Sequence, residues 1–147
     1  MASDWVAQYW RASEFDCPCC KTGGADMAPT LIAVLDECRK RLGVRMVCNS
    51  GYRCPVYNAS PSIGSSSGSY HPKHMAADVT FARRGLRDRL NILRLFVELE
   101  NIGRAYGGLG IGLYPSFIHV DSRTFGFGSV EAVRPARWST FNWPRLV

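Results

Sequence analysis

Residues 117–122 read Phe-Ile-His-Val-Asp-Ser, and residues 76–81 read Ala-Ala-Asp-Val-Thr-Phe. Both runs are short and bounded by turn residues, and in each a polar side chain stands between apolar ones. Successive side chains of a strand point to opposite faces. His119 and Asp121 therefore share one face, while Ile118 and Val120 point into a core. The pattern predicts two strands, with His119 and Asp121 projecting together from the second. Working outward, residues 107–114 form a further strand-like run, separated from 117–122 by Pro115-Ser116. Residues 44–49 alternate and are β-branched enough for a strand, closed by Ser50-Gly51.

Two stretches follow the helical period instead. From Asp26 onward, Leu31, Ile32, Leu35, Cys38 and Leu42 recur at three- and four-residue steps. Pro29 sits in the first turn and Gly43 ends the run. Residues 85–101 form a second amphipathic helix, with Leu86, Leu90, Leu93 and Val97 along one side. Before the first helix, Trp5, Tyr9, Trp10 and Phe15 form an aromatic lead-in that caps a core. After the last strand, Phe125, Phe127, Trp138, Phe141 and Trp143 read as a wrap of aromatics on the sheet. Residues 53–70 are a long loop rich in Ser, Gly and Pro that runs into His71, and loops of that length are usually functional. The order of elements predicts an α+β fold, a small antiparallel sheet flanked by two main helices, with residues 1–147 as one domain.

Composition agrees with a globular domain: 46% of the 147 residues are hydrophobic and 20% charged. No stretch approaches the ~20 apolar residues of a membrane span. Asp4 lies where a secretory signal is basic and then apolar, so the expectation is synthesis in the host cytoplasm without a signal peptide. Eighteen Lys and Arg against twelve Asp and Glu give a net charge of +6, which suits an anionic partner. The basic residues are scattered, and two of their clusters lie on helices beside acids. They read as solvated faces rather than a specific nucleic-acid groove. Six cysteines stand at 17, 19, 20, 38, 48 and 54. Cys17-Pro18-Cys19-Cys20 followed by Cys48 and Cys54 could in principle form a thiolate zinc site, but the run offers not one clean Cys-x-x-Cys pair, so packing or a local disulfide is the preferred reading. Cys38, on the apolar face of the first helix, reads as a small buried hydrophobe.

The chain has three histidines, His71, His74 and His119. His71 ends the long loop, and Asp78 follows at the centre of the 76–81 strand. Two imidazoles and one carboxylate can form a three-ligand zinc set with a fourth position left for water, the arrangement of a catalytic site.

The ordered blocks Ser50-Gly-Tyr-Arg53 with Cys54, Pro55 and Asn58, then Ser69-x-His71 with Ala76 and Asp78, then His119-Val-Asp121, resemble the M15 family of zinc D-Ala-D-Ala carboxypeptidases and peptidoglycan endopeptidases. The likeness is to compact, phage-type members and covers roughly residues 12–138. It implies zinc (Zn2+) held by His71, Asp78 and His119. It also implies an Arg53 that contacts and polarises the peptide, and a Ser69 that helps bind it. The expected activity is hydrolysis of a D-amino-acid-containing peptide bond of bacterial peptidoglycan, by a monomer acting at the cell wall or as a virion component in phage lysis or entry. An inactive zinc-binding wall module on the same fold is the alternative. Two positions depart from the family pattern. His74 replaces a glycine and is expected beside the site, as a substrate contact or proton donor. Ser116 stands three residues before the last ligand, where better-known members carry a general base. Asp121 then either takes the proton itself or orients His119.

Overall fold

The structure is a computed structural model describing residues 5–64 and 68–140; Asp4, Phe141 and Trp143 lie outside the described residues. Helix α1 (Pro29–Leu42) starts on its proline and stops at Gly43, whose φ of 66° is left-handed and whose N–H bonds Arg39 O. It buries Leu31, Ile32, Val34, Leu35 and Cys38, the last as the periodicity requires. A short helix α2 (Pro55–Asn58) lies within the loop expected over 53–70.

Helix α3 (Arg89–Arg104) begins later than the sequence pattern indicated. Asp88 is its N-cap and accepts from Asn91 N at 2.9 Å, while Arg84–Leu86 form a separate 3-10 turn. The buried stripe differs accordingly. Ile92, Leu95, Leu99 and Ile102 face the core, whereas Leu90 and Val97 are exposed and Leu86 and Leu93 only partly covered. Both sets obey helical spacing. The stripe that docks on α1 and the sheet is the one extending to Ile102, at the far end of the helix.

The sheet contains β1 (Met46–Ser50), β2 (Ala76–Phe81), β3 (Gly110–Leu113), β4 (Ile118–Asp121) and β5 (Ala136–Ser139), in the order β1-β2-β4-β3-β5. The first four pair antiparallel. Strand β5 adds to β3 in parallel, so Trp138, expected in an aromatic wrap, belongs instead to an edge strand. An Arg137 guanidinium on Glu100 (Nε–Oε1 2.7 Å) ties that edge to α3. Ala77, Val79, Ile111, Ile118 and Val120 join the residues of α1 and α3 in one core, together with Trp10 and Phe15 of the lead-in. Among the described residues no helix is long and apolar enough to cross a membrane.

Register matters more than strand count. Ser50 pairs with Asp78, Asp78 with His119, His119 with Gly112 and Gly112 with Trp138. Directly paired residues share a face. One row across five strands therefore brings these five residues together on the face opposite the core.

Candidate metal centre

Strand alternation sends Asp78 and His119 to the same side as neighbours, and His71 reaches them from the 3-10 turn His71–Lys73 that precedes β2. The three donor atoms lie within 4.8 Å of one another. Asp78 Oδ1 is 3.1 Å from His119 Nδ1 and 3.4 Å from His71 Nε2. Two N or O donors at 2.0–2.1 Å from a tetrahedral ion stand about 3.3 Å apart, so this spacing matches ligation of a common centre.

Each donor is aimed by a partner on its far side. His71 Nδ1 donates to Gly51 O at 2.7 Å, which leaves the Nε2 lone pair facing the focus. That Nε2 is buried and has no hydrogen-bond partner among the described residues. A buried imidazole nitrogen without a partner is costly unless something occupies the focus, and a cation answers that need. His119 Nε2 donates to Asp121 Oδ2 at 2.8 Å, turning Nδ1 inward. Asp78 Oδ2 accepts from the Arg53 guanidinium at 3.2 Å, freeing Oδ1. Arg53 itself donates through Nε to Ser50 Oγ at 2.8 Å.

Charge follows the same logic. Burial alone raises the Asp78 carboxyl, but His119 and His71 outweigh it and hold it well below the usual carboxylate range. Burial lowers His119, yet Asp121 and Asp78 raise it above an ordinary histidine. Asp121 is raised by burial and brought down to about 2 by Arg123 and His119. The site is thus built to keep both carboxylates ionised.

The centre lies in the wall of a cleft of about 580 Å³. Arg53, Ser69, Tyr70, Tyr114, Phe117, Arg123 and Trp138 line it with the three donors. Ser69 is there, its Oγ accepting from His71 N at 3.3 Å. His74 is not among the lining residues. Its ring stacks on Tyr52 at 4.0 Å, its Nδ1 meets Gly23 O at 3.2 Å, and its backbone is left-handed at φ 60°. Glycine adopts that conformation more freely than a residue with a Cβ. Ser116 lies outside the cleft in the β3–β4 turn, where its carbonyl accepts from Thr80 Oγ1 at 2.6 Å.

Asp121 is fully buried on the opposite side of the His119 ring from the focus. Arg123 grips both its oxygens (Nε–Oδ1 2.8 Å, Nη2–Oδ2 2.7 Å) and packs its guanidinium over Tyr70 and Trp138. Sequence reasoning missed Arg123, although the same i, i+2 alternation that joined His119 to Asp121 extends one step further to it. It also missed the Gly51 carbonyl, since a backbone acceptor leaves no mark on residue type.

Fold and site together define an α+β protein with a candidate two-histidine, one-carboxylate metal site, a donor set that suits zinc. The peptidase M15 profile matches residues 8–121, and the chain belongs to this family, whose members are zinc peptidases in general. No curated protein and no solved structure matches the chain.

Proposed function

We propose that this chain is a zinc-dependent peptidase that cleaves a D-amino-acid-containing peptide of bacterial cell wall, as a carboxypeptidase or endopeptidase in phage lysis or entry. The observation that carries the proposal is the convergence of His71 Nε2, Asp78 Oδ1 and His119 Nδ1 at ligand spacing in the cleft wall, the buried Nε2 having no hydrogen-bond partner among the described residues and approaching Asp78 only to 3.4 Å. Zinc held there supplies Lewis acidity for the scissile carbonyl and lowers the pKa of water to about 7. Every other part of the reaction falls to the protein. Gly51 and Asp121 fix the two imidazoles in the tautomers that present Nε2 and Nδ1. Arg53 holds Asp78 and lines the cleft, where its guanidinium meets negative charge on the peptide carboxylate or on the oxygen of the attacked carbonyl. Ser69 stands beside His71 to hydrogen-bond the substrate, while Tyr114 stacked on Phe117 (4.4 Å) and Trp138 beside His119 give the cleft apolar walls. Two guanidiniums in one cleft suit an anionic peptide end.

Asp121 fits the orienting role better than that of base, since Arg123 and His119 occupy its oxygens. One observation favours a second reading. Among the described residues that line the cleft, Asp78 is the only carboxylate, and it is a ligand. A zinc-binding wall module of low turnover would show that composition. Incubating zinc-loaded protein with peptidoglycan and with a D-Ala-D-Ala-terminated peptide, against a chelated control, separates the two. Zinc-dependent release of amino acid or peptide supports the enzyme; zinc binding and wall adsorption without turnover selects the module. Arg53→Lys is expected to raise KM at least tenfold, as a point charge replaces the fork.

A further inference from the structure

A second cluster of metal-binding type stands apart from the cleft. The thiols of Cys17, Cys20 and Cys54 lie within 4.8 Å of one another. Cys17 is fully buried, Cys54 partly covered and Cys20 exposed, so packing alone explains only the first. Contrary to the sequence reading, Cys17 and Cys20 form one Cys-x-x-Cys knuckle, which the intervening Cys19 obscures. The backbone there turns tightly: Lys21 N donates to Cys17 O at 2.7 Å, Cys17 N donates to Thr22 O at 2.9 Å, and Lys21 is left-handed at φ 55°. Backbone N–H groups converge on the Cys17 sulfur, that of Cys54 at 3.4 Å together with those of Cys19 and Cys20. Amides directed at a sulfur stabilise the thiolate, the form that ligates a metal.

We propose that Cys17, Cys20 and Cys54 hold a structural zinc ion through their three thiolates. Two thiolates on a tetrahedral zinc ion stand about 3.8 Å apart at 2.3 Å per bond, within the span seen. Thiolate donors select zinc over magnesium or calcium. The ion would clip the lead-in to residues 51–54. That segment already touches the lead-in, since Tyr52 N bonds Phe15 O at 2.8 Å and the Tyr52 ring leaves no room for a Cβ at Gly23. The same segment supplies the Gly51 carbonyl to His71 and the Arg53 guanidinium to Asp78. This site does not depend on the peptidase reading.

Cobalt(II) loading under reducing conditions tests it, because thiolate ligation gives an intense near-ultraviolet charge-transfer band that His and Asp ligation lacks. Wild-type protein is expected to bind one ion at each of the two clusters and to show the band. His71→Ala should lose one ion and keep the band. Cys20→Ser with Cys54→Ser should lose the band and one ion yet retain the ion at His71, which also shows that the variant folds. Absence of the band in wild-type protein, or its survival in the double variant, overturns the proposal.

Discussion

Replacing Asp121 by Asn separates the two roles open to this residue. The carboxylate is fully buried, accepts from His119 Nε2 at 2.8 Å and makes a two-point ion pair with Arg123. An amide is isosteric, but it keeps one acceptor oxygen for two cationic or donating partners. His119 then loses either its donor contact or the negative charge that raises its basicity. Changes to groups that orient a metal-bound histidine typically weaken affinity 10–100-fold. At 1.4 kcal/mol per decade, that is about 1.4–2.8 kcal/mol of zinc binding. Arg123 meanwhile loses its counter-charge. Breaking a fully buried pair costs about 3–5 kcal/mol, and because Arg123 keeps some solvent contact the loss here should be about 1–3 kcal/mol of folding stability. Zinc affinity is read by competition with a chromophoric chelator, stability by denaturant unfolding of the metal-free protein, and turnover at saturating zinc. The orienting role predicts a weakened metal, a less stable fold and turnover within about tenfold of wild type once zinc is restored. A base would show the reverse, with unchanged zinc affinity and a fall of about 10²–10⁴ in turnover. That outcome would refute the reasoning from geometry.

His74→Gly relieves the left-handed backbone at φ 60° but removes the stack on Tyr52, so stability should stay within about 1 kcal/mol and zinc content and KM should not change. A tenfold rise in KM would return His74 to the substrate site. Gly112→Ala places a Cβ 2.4 Å from Trp138, pushing the indole off the cleft wall; denaturant unfolding should show a loss of about 1–3 kcal/mol. The metal-free protein should be most stable between about pH 4 and 6.5. Asp78 and Asp121, lowered in the fold, contribute fully above the usual carboxylate range and lose that contribution as pH falls through their folded values. His119, raised in the fold, contributes fully below an ordinary histidine pKa and loses it as pH rises through its own. Zinc affinity should behave oppositely near neutrality, falling up to about tenfold per pH unit below the raised value of His119, because Nδ1 must be unprotonated to bind.

Much of this arrangement was legible in the residues. Period-two alternation placed Asp78 and His119 on strands and Ile118 and Val120 in the core, although both faces of β2 are covered in the fold, all of Ala76–Phe81 being buried. Pro29 and Gly43 marked the ends of α1 by backbone geometry alone. The second helix was harder: residues 86–102 carry two apolar stripes, and only docking on α1 and the sheet decides which is buried. The parallel β5 was hidden because residues 136–139 are too few for their alternation to mark a strand, and the pairing of Gly112 with Trp138 depends on a contact distant in sequence. At the site, residue types pointed to His71, Asp78 and His119, whose donor atoms the fold brings within 4.8 Å of one another, but the backbone carbonyl of Gly51 and the grip of Arg123 on Asp121 exist only once the chain is folded. The cysteine cluster was legible only in part, for a related reason. Cys54 lies far along the chain from the knuckle, and the hydrogen bond between Tyr52 and Phe15 brings the two segments together.

Diffraction from zinc-loaded crystals at the zinc absorption edge tests the central claim most directly. An anomalous peak about 2.0–2.1 Å from His71 Nε2 and His119 Nδ1, and in bonding contact with Asp78 Oδ1, is the predicted result. Zinc-loaded crystals with no peak among these three atoms, whatever appears elsewhere in the molecule, would contradict it.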